Sequence, residues 1–173
     1  GETVKLFHAR IEGEFRKIIR HKIGVTHYWW EVIDKTGLRF FYGARPEEGQ
    51  PPAQIEPLDD ATLETAANAI FAWALTEVRD THGNSIRYHY ARPDHPGFSG
   101  GFVPGYELYL ERITYTHEPG ANDAPYEVVL SREAGRPDVL IDGRGGFKRV
   151  TADRLQRIEV RYQGQRVRAW ELG

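Results

Sequence analysis

A strict alternation of apolar and polar side chains is the feature that most constrains how this chain folds. Residues 157–162 (Arg-Ile-Glu-Val-Arg-Tyr) alternate without a break, and residues 85–90 (Ser-Ile-Arg-Tyr-His-Tyr) do the same. A period of two is that of a β-strand, in which successive side chains point to opposite faces of the sheet. The pattern predicts strands that bury one face and expose the other.

Short turns punctuate these runs, and their spacing predicts antiparallel hairpins. Glycine supplies the positive φ that such turns need, so Gly37 and Gly83, the latter with Asn84, are the predicted turn formers. The predicted pairs are 28–33 with 38–42 across Asp34–Gly37, 71–78 with 86–90 across Asp80–Asn84, 155–162 with 167–172 across Gln163–Gln165, and 4–11 with 14–23 across Glu12–Gly13.

One segment departs from the strand pattern. Residues 59–70 are rich in alanine, follow Pro57 and begin with two aspartates, which favours a short helix with an aspartate at its N-cap. The stretches 44–57 and 91–105 are rich in proline and glycine and are predicted as loops. We therefore expect a single all-β domain over residues 1–173, made mainly of antiparallel hairpins with one short helix near 59–70.

The composition excludes several classes of function. The chain has 173 residues with 40% hydrophobic residues, which is enough for one core, and its formal charge of −2 gives no sign of nucleic-acid binding. It contains no cysteine, so zinc–thiolate sites, iron–sulfur clusters and thiol nucleophiles are excluded. No apolar run reaches the roughly 20 residues of a membrane helix. It also has no methionine, and we expect it to be processed or a piece of a longer protein.

An ordered set of motifs runs through nearly the whole chain, from Phe15 to Leu172. Together they resemble the SpvB-like N-terminal region, which is shared by Salmonella virulence plasmid proteins and the B component of insecticidal Tc toxins. The motifs are Trp30–Gly37, Phe41–Gly43, Trp73–Asp80, Gly83-Asn84, Tyr88–Tyr90, Tyr109–Thr116, Tyr126–Leu130, Arg136–Asp138, Gly146-Phe147 and Arg154–Val160.

The resemblance implies a structural role. In that family the region is similar to Rhs/YD repeats and contributes strands to a shell around a toxic effector, so it implies a secreted, non-enzymatic toxin scaffold without cofactors. Its partners would be other toxin segments that pair with the open sheet edges. The residues expected to carry this role are structural: the core anchors Trp30 and Trp73, the turn residues Gly37, Asp80, Gly83 and Asn84, and the inward strand residues Tyr88, Tyr115 and Ile158.

Residues with catalytic or metal-binding potential form no recognised constellation. An ADP-ribosyltransferase, the enzyme class joined to one branch of this family, needs a Glu-x-Glu loop after a Ser-Thr-Ser strand, but Glu12 and Glu14 stand near the start of the chain. His82, His89 and His95 with Asp80 and Asp94 are a conceivable metal set, but their spacing fixes no geometry. We predict no enzyme activity and no metal.

The tryptophans leave one alternative open. Trp29 and Trp30 are adjacent, so on a strand their side chains must point to opposite faces. Trp30 is predicted in the core, while Trp29 is either packed or exposed as a platform on which a sugar ring stacks. The alternative function is therefore a carbohydrate- or surface-binding β domain.

Overall fold

The computed structural model describes residues 3–11, 13–23, 27–46, 61–64, 70–93, 105–121 and 123–173. These residues form fourteen strands and contain no helix. The strands are β1 Thr3–Phe7, β2 Lys17–Ile23, β3 His27–Ile33, β4 Arg39–Tyr42, β5 Thr62–Glu64, β6 Ile70–Trp73, β7 Leu75–Arg79, β8 Ser85–Ala91, β9 Tyr109–His117, β10 Tyr126–Ala134, β11 Leu140–Asp142, β12 Arg149–Thr151, β13 Asp153–Tyr162 and β14 Gln165–Glu171.

Ten of the strands form one antiparallel sheet in the order β1-β2-β3-β4-β7-β8-β9-β10-β13-β14. Each strand pairs with the next of these ten along the chain, so the sheet is a meander. The four predicted hairpins are confirmed as β1–β2, β3–β4, β7–β8 and β13–β14. Residues 71–73, however, belong to β6 outside this sheet, and β7 begins only at Leu75.

The pair β5–β6 is inserted between β4 and β7, and the pair β11–β12 between β10 and β13. Both insertions lie at the same end of the ten-stranded sheet. They form two small two-stranded sheets that pack on each other. The Phe71 and Phe147 rings meet edge to face at 5.4 Å, and Tyr106 stacks on Phe147 at 5.7 Å. Val150 and Ala152 behind them are almost completely buried. The insertions therefore form a small packed cluster of their own at one end of the sheet.

The helix expected near 59–70 is wrong where the structure describes that segment. Thr62–Glu64 is strand β5, and Ile70 begins β6. Thr62 pairs with Trp73 and Leu63 with Ala72, and both Thr62 and Leu63 are buried. Burial and pairing with the next strand, β6, override the local helix preference of the alanines. Residues 59–60 and 65–69 lie outside the described residues, as do most of the predicted loops 44–57 and 91–105.

The cross-strand register divides the sheet into two chemically different faces, because residues directly opposite each other share a face. One face, here called the aromatic face, carries Trp30, Tyr88, Tyr115 and Ile158. The other, the polar face, carries glutamates and arginines together with Trp29 and Phe41.

Burial does not follow the simple rule that the apolar face is the covered one. On β13, Glu159 of the polar face is buried, whereas Ile158 and Val160 of the aromatic face are only half-buried. The alternating pattern therefore predicted the strand correctly, but the expectation of one buried apolar face and one exposed polar face is wrong here.

Candidate functional site

Two turns of the same design cap neighbouring hairpins at the end of the sheet opposite the insertions. In the first, the Asp34 carboxylate accepts hydrogen bonds from the Thr36 amide (2.8 Å), the Thr36 hydroxyl (2.7 Å) and the Leu38 amide (3.1 Å). These bonds, the Thr36 hydroxyl first, lower the pKa of Asp34. Gly37 completes the turn with φ +86°.

The second turn repeats this arrangement with Asp80. Its carboxylate accepts bonds from the His82 amide (2.8 Å) and from the backbone amide and side-chain amide of Asn84 (both 2.9 Å). The Asn84 side chain is the main cause that lowers the pKa of Asp80. Gly83 has φ +92°. Asp80, Gly83 and Asn84 thus form one hydrogen-bonded unit, and a methyl group at Gly37 would meet Thr81 of this turn at 2.7 Å.

Trp30 and Trp73 form a pair on the aromatic face. Their ring centroids are 5.6 Å apart at 80°, an edge-to-face contact. The indole N–H of Trp73 donates to the Tyr28 carbonyl at 2.7 Å, and Gly43 lies so close that a Cβ there would stand 2.6 Å from the Trp73 ring. Trp73 therefore ties the insertion β5–β6 to the main sheet. Both tryptophans are half-buried, however, and the buried tryptophan of the chain's described part is Trp29, not the predicted core residue Trp30.

The other predicted inward residues lie on the same face but farther along it. Tyr88 stands opposite Ile113, and Ile158 stands between Leu130 and Trp170. The Tyr115 ring stacks on Tyr126 at 5.4 Å and 11°. These residues are half-buried and are not brought together with the tryptophan pair into one compact core.

Trp29 has no free ring face to offer a sugar. Its side chain is only 6% exposed on the polar face, and the His21 ring lies parallel to it at 3.6 Å. Phe41, 1% exposed, packs nearby at 6.2 Å. The prediction that Trp29 and Trp30 point to opposite faces is confirmed. The ligand-stacking alternative for Trp29 is wrong, because the neighbouring strands β2 and β4 cover its ring.

Three carboxylates on the polar face are buried, a feature that the sequence reasoning missed. Glu31, Glu77 and Glu159 are 3%, 5% and 7% exposed. Each is paired with arginine: Glu31 with Arg39, Glu77 with Arg45 and Arg79, and Glu159 with Arg157 and Arg161. A buried carboxylate is tolerated only when it is paired in this way. Glu77 and Glu159 stand in Glu-x-Arg patterns that could have signalled their ion pairs, but Glu31 does not, and its pairing with Arg39 of the next strand depends on the register.

Histidines on the polar face form a short hydrogen-bonded chain. The Thr114 hydroxyl lies 3.1 Å from His89 Nε2 and 2.8 Å from His117 Nε2. Burial is the main cause that lowers the pKa of both histidines, and Arg87 adds to it in each case. Of the conceivable metal set, His82 is exposed at its turn and His95 lies outside the described residues. The described residues contain no group of three metal-ligating side chains.

Glu14, one of the two carboxylates considered for transferase chemistry, lies on the surface. Glu14 is exposed and pairs with Arg16 at 2.7 Å, and Glu12 lies outside the described residues. Glu14 and Arg16 thus form an ion pair on the surface.

The outer strands of the sheet are accessible along their length. Within the described part of the chain, β1 and β14 each pair with one neighbour only. The exposed side chains of β1 include Val4 (57%) and Leu6 (46%), and those of β14 include Val167 (67%) and Trp170 (44%). Open edges with apolar side chains are templates for pairing with another strand. These features define an open-sheet β domain whose edges, rather than a catalytic cleft, are its candidate functional sites.

A family model described as the Salmonella virulence plasmid 65kDa B protein, SpvB, matches residues 2–129, and the chain belongs to this family. No curated protein matches the chain. The described residues contain no helix that is long and apolar enough to cross a membrane.

Solved structures show the same fold at low identity. The N-terminal domain of the effector protein SpvB from Salmonella typhimurium strain LT2 matches with a TM-score of 0.72 and 15% identity, over 92% of this chain and 57% of that one. The TcdB2-TccC3-Cdc42 crystal structure matches with a TM-score of 0.68 and 14% identity, over 93% of this chain and 9% of that one. The structure of the Photorhabdus luminescens Tc holotoxin pore matches with a TM-score of 0.68 and 16% identity, over 93% of this chain and 9% of that one. The chain thus spans about half of the SpvB domain and a small part of the toxin chains.

Proposed function

We propose that this chain is a non-enzymatic scaffold segment of a secreted bacterial toxin, and that it contributes strands to a shell that encloses or presents a toxic effector. Membership of the SpvB family and a fold shared with a Tc holotoxin support this role. Its partners are other segments or subunits of the toxin, joined through the sheet edges. Residues 1–173 act as one domain in this proposal.

The observation that carries the proposal is the exposed edge at β14. This seven-residue strand is exposed at every position except Ala169. Besides the charged residues Arg166, Arg168 and Glu171, the strand exposes two large apolar side chains, Val167 and Trp170, and apolar side chains on an open edge favour pairing with another strand. An edge of this kind is suited to continue a larger sheet.

The test is the self-association of the 173-residue chain, measured by sedimentation velocity over a range of concentrations. We expect concentration-dependent oligomers, and we expect Val167→Lys to weaken association at least about tenfold, because a lysine on an edge strand opposes pairing. The control Ile11→Lys places the same charge on a residue that is 86% exposed outside the strands, and it should leave association unchanged. A wild-type monomer at all concentrations, or equal effects of both variants, contradicts the proposal.

A second measurement addresses enzyme activity directly. The purified chain is incubated with NAD⁺, and the release of nicotinamide is followed over time. We expect no release above the rate without protein, and a rate proportional to protein concentration contradicts the non-enzymatic assignment.

A further inference from the structure

Three arginine side chains surround one buried phenylalanine on the polar face. The guanidinium carbons of Arg45, Arg39 and Arg79 lie 4.4, 5.4 and 5.5 Å from the centre of the Phe41 ring. The ring itself is 1% exposed. Guanidinium groups at this distance from an aromatic face are held by cation–π attraction. Phe41 is therefore the apolar floor of a group of positive charges.

The register of the sheet brings these charges together with a fourth. Arg39 of β4 stands directly opposite Arg79 of β7, and Arg87 of β8 stands directly opposite Glu77 of β7. Arg45 reaches the same face from the segment after Gly43, where φ is +77°. Like charges opposite each other on neighbouring strands are destabilising. We call Arg39, Arg45, Arg79 and Arg87 the arginine cluster.

The carboxylates nearby neutralise only part of this charge. Arg39 donates to Glu31 Oε1 through Nε and Nη2, both at 2.6 Å, while Arg45 and Arg79 each donate to Glu77 at 2.7 Å. Within the described part of the chain, no carboxylate lies within ion-pair distance of Arg87, so four guanidiniums face two carboxylates. The pKa of Arg45 is lowered, chiefly because the side chain is partly buried. The positive charges of Arg79, Arg87 and Arg39 lower the pKa further, while the carboxylate of Glu77 opposes this shift.

The free donors of the cluster are accessible to solvent. A guanidinium carries five N–H donors in a planar fork, and Arg45 and Arg79 each direct one nitrogen at Glu77. The side chains of Arg39, Arg45 and Arg79 are 44%, 26% and 27% exposed. Charge, donors and an apolar floor are thus combined at one place on the surface.

We propose that the arginine cluster binds a tetrahedral oxyanion, the phosphoryl or sulfuryl group of a ligand. A dianion offsets the two excess positive charges and accepts the N–H groups that Glu31 and Glu77 leave unused. The proposal concerns the polar face and does not depend on the scaffold role, which concerns the sheet edges.

The experiment is calorimetric titration of the whole chain with inorganic phosphate, inorganic sulfate and acetate at constant ionic strength and pH 7.5. We expect saturable binding of phosphate or sulfate, with acetate at least about tenfold weaker. Preference for phosphate assigns a phosphoryl ligand, and preference for sulfate a sulfuryl one; either result supports the proposal. Absence of saturable binding by both overturns it.

Variants separate the cluster from general salt effects. Arg79→Gln should weaken oxyanion binding about tenfold or more, because it removes a charged donor. The matched control Arg144→Gln changes an arginine that is 91% exposed in the β11–β12 insertion and should not alter binding. Equal binding by wild type and Arg79→Gln overturns the proposal.

If Arg79→Gln does not fold, Arg79→Lys replaces it. Lysine keeps the positive charge but lacks the planar fork of N–H donors. The affinity for the oxyanion should therefore fall, but less than in Arg79→Gln, because the charge attraction remains. Unchanged affinity in Arg79→Lys and in the further variant Arg87→Gln would likewise overturn the assignment.

Discussion

At the scale of single residues, the two adjacent tryptophans show what local pattern can and cannot determine. That Trp29 and Trp30 lie on opposite faces follows from strand geometry and could be predicted. Which of them is buried depends on residues contributed by other strands, here His21 on β2 and Phe41 on β4. The burial of Glu31 depends in the same way on Arg39 of β4. The local sequence around Trp29, Trp30 and Glu31 therefore does not determine which of these side chains is buried.

The role of Trp73 gives the first prediction. Replacement by alanine removes the edge-to-face contact with Trp30 and the hydrogen bond to the Tyr28 carbonyl, and it leaves a cavity next to Gly43. We expect Trp73→Ala to lower the free energy of unfolding by about 3 kcal/mol. For a chain of this size, the melting temperature should fall by about 6–12 °C.

Trp170→Ala is the control, because Trp170 is 44% exposed on the edge strand. Its effect on the free energy of unfolding, measured by urea denaturation, should stay below about 1 kcal/mol. Equal losses for the two tryptophans would show that Trp73 does not anchor the insertion.

At the scale of elements, the hairpins could be predicted because each is specified within a few residues. The pattern Asp-x-x-Gly at 34–37 and 80–83 contains both the carboxylate that accepts the turn amides and the glycine with positive φ. The strand β5 could not be predicted in this way. It pairs with β6 and buries Thr62 and Leu63, whereas its alanine-rich sequence alone favours a helix.

The second prediction concerns the β7–β8 turn. Gly83→Ala forces a side chain onto a residue with φ +92°, and its Cβ would lie 3.1 Å from Pro119. We expect a loss of about 1–2 kcal/mol in unfolding free energy. The control Gly143→Ala changes a glycine with no positive φ and no atom near its Cβ position, and it should be neutral or slightly stabilising. A Gly83→Ala variant as stable as the control would contradict the turn assignment.

At the scale of the whole molecule, the titrating groups predict a loss of stability in two stages on acidification. Burial lowers the pKa values of His89 and His117 below the ordinary 6.5. The unfolded chain therefore binds more protons than the folded one once the pH falls below about 6.5, so stability begins to decrease there. Arg87, Arg112, Glu77 and Asp123 are the charged groups that influence the two histidines.

The second stage comes from carboxylates in turns. Hydrogen bonds, chiefly from the Arg144 side chain, lower the pKa of Asp142 from 3.8 to about 2, and the turn hydrogen bonds of Asp34 and Asp80 lower the pKa values of those two carboxylates. Their contribution is complete above pH 3.8 and is lost as the pH falls toward 2.

Urea denaturation at a series of pH values between 8 and 2 measures both stages. The double variant His89→Gln, His117→Gln should reduce the slope of unfolding free energy against pH just below pH 6.5 while keeping the decline below pH 3.8. An unchanged slope near pH 6 in this variant would contradict the histidine assignment, whatever the variant's overall stability.

The connections between strands differ in how much added chain they accept. At one end of the sheet, tight turns such as Asp34–Leu38 and Gln163–Gly164 have almost no spare residues, while the connections 8–16 and 118–125 at that end are longer. At the other end, the meander already carries β5–β6 and β11–β12 without a break in strand order. A foreign peptide grafted at Arg144, the exposed tip of β11–β12, would be displayed outside the sheet and leave the ten-strand register intact.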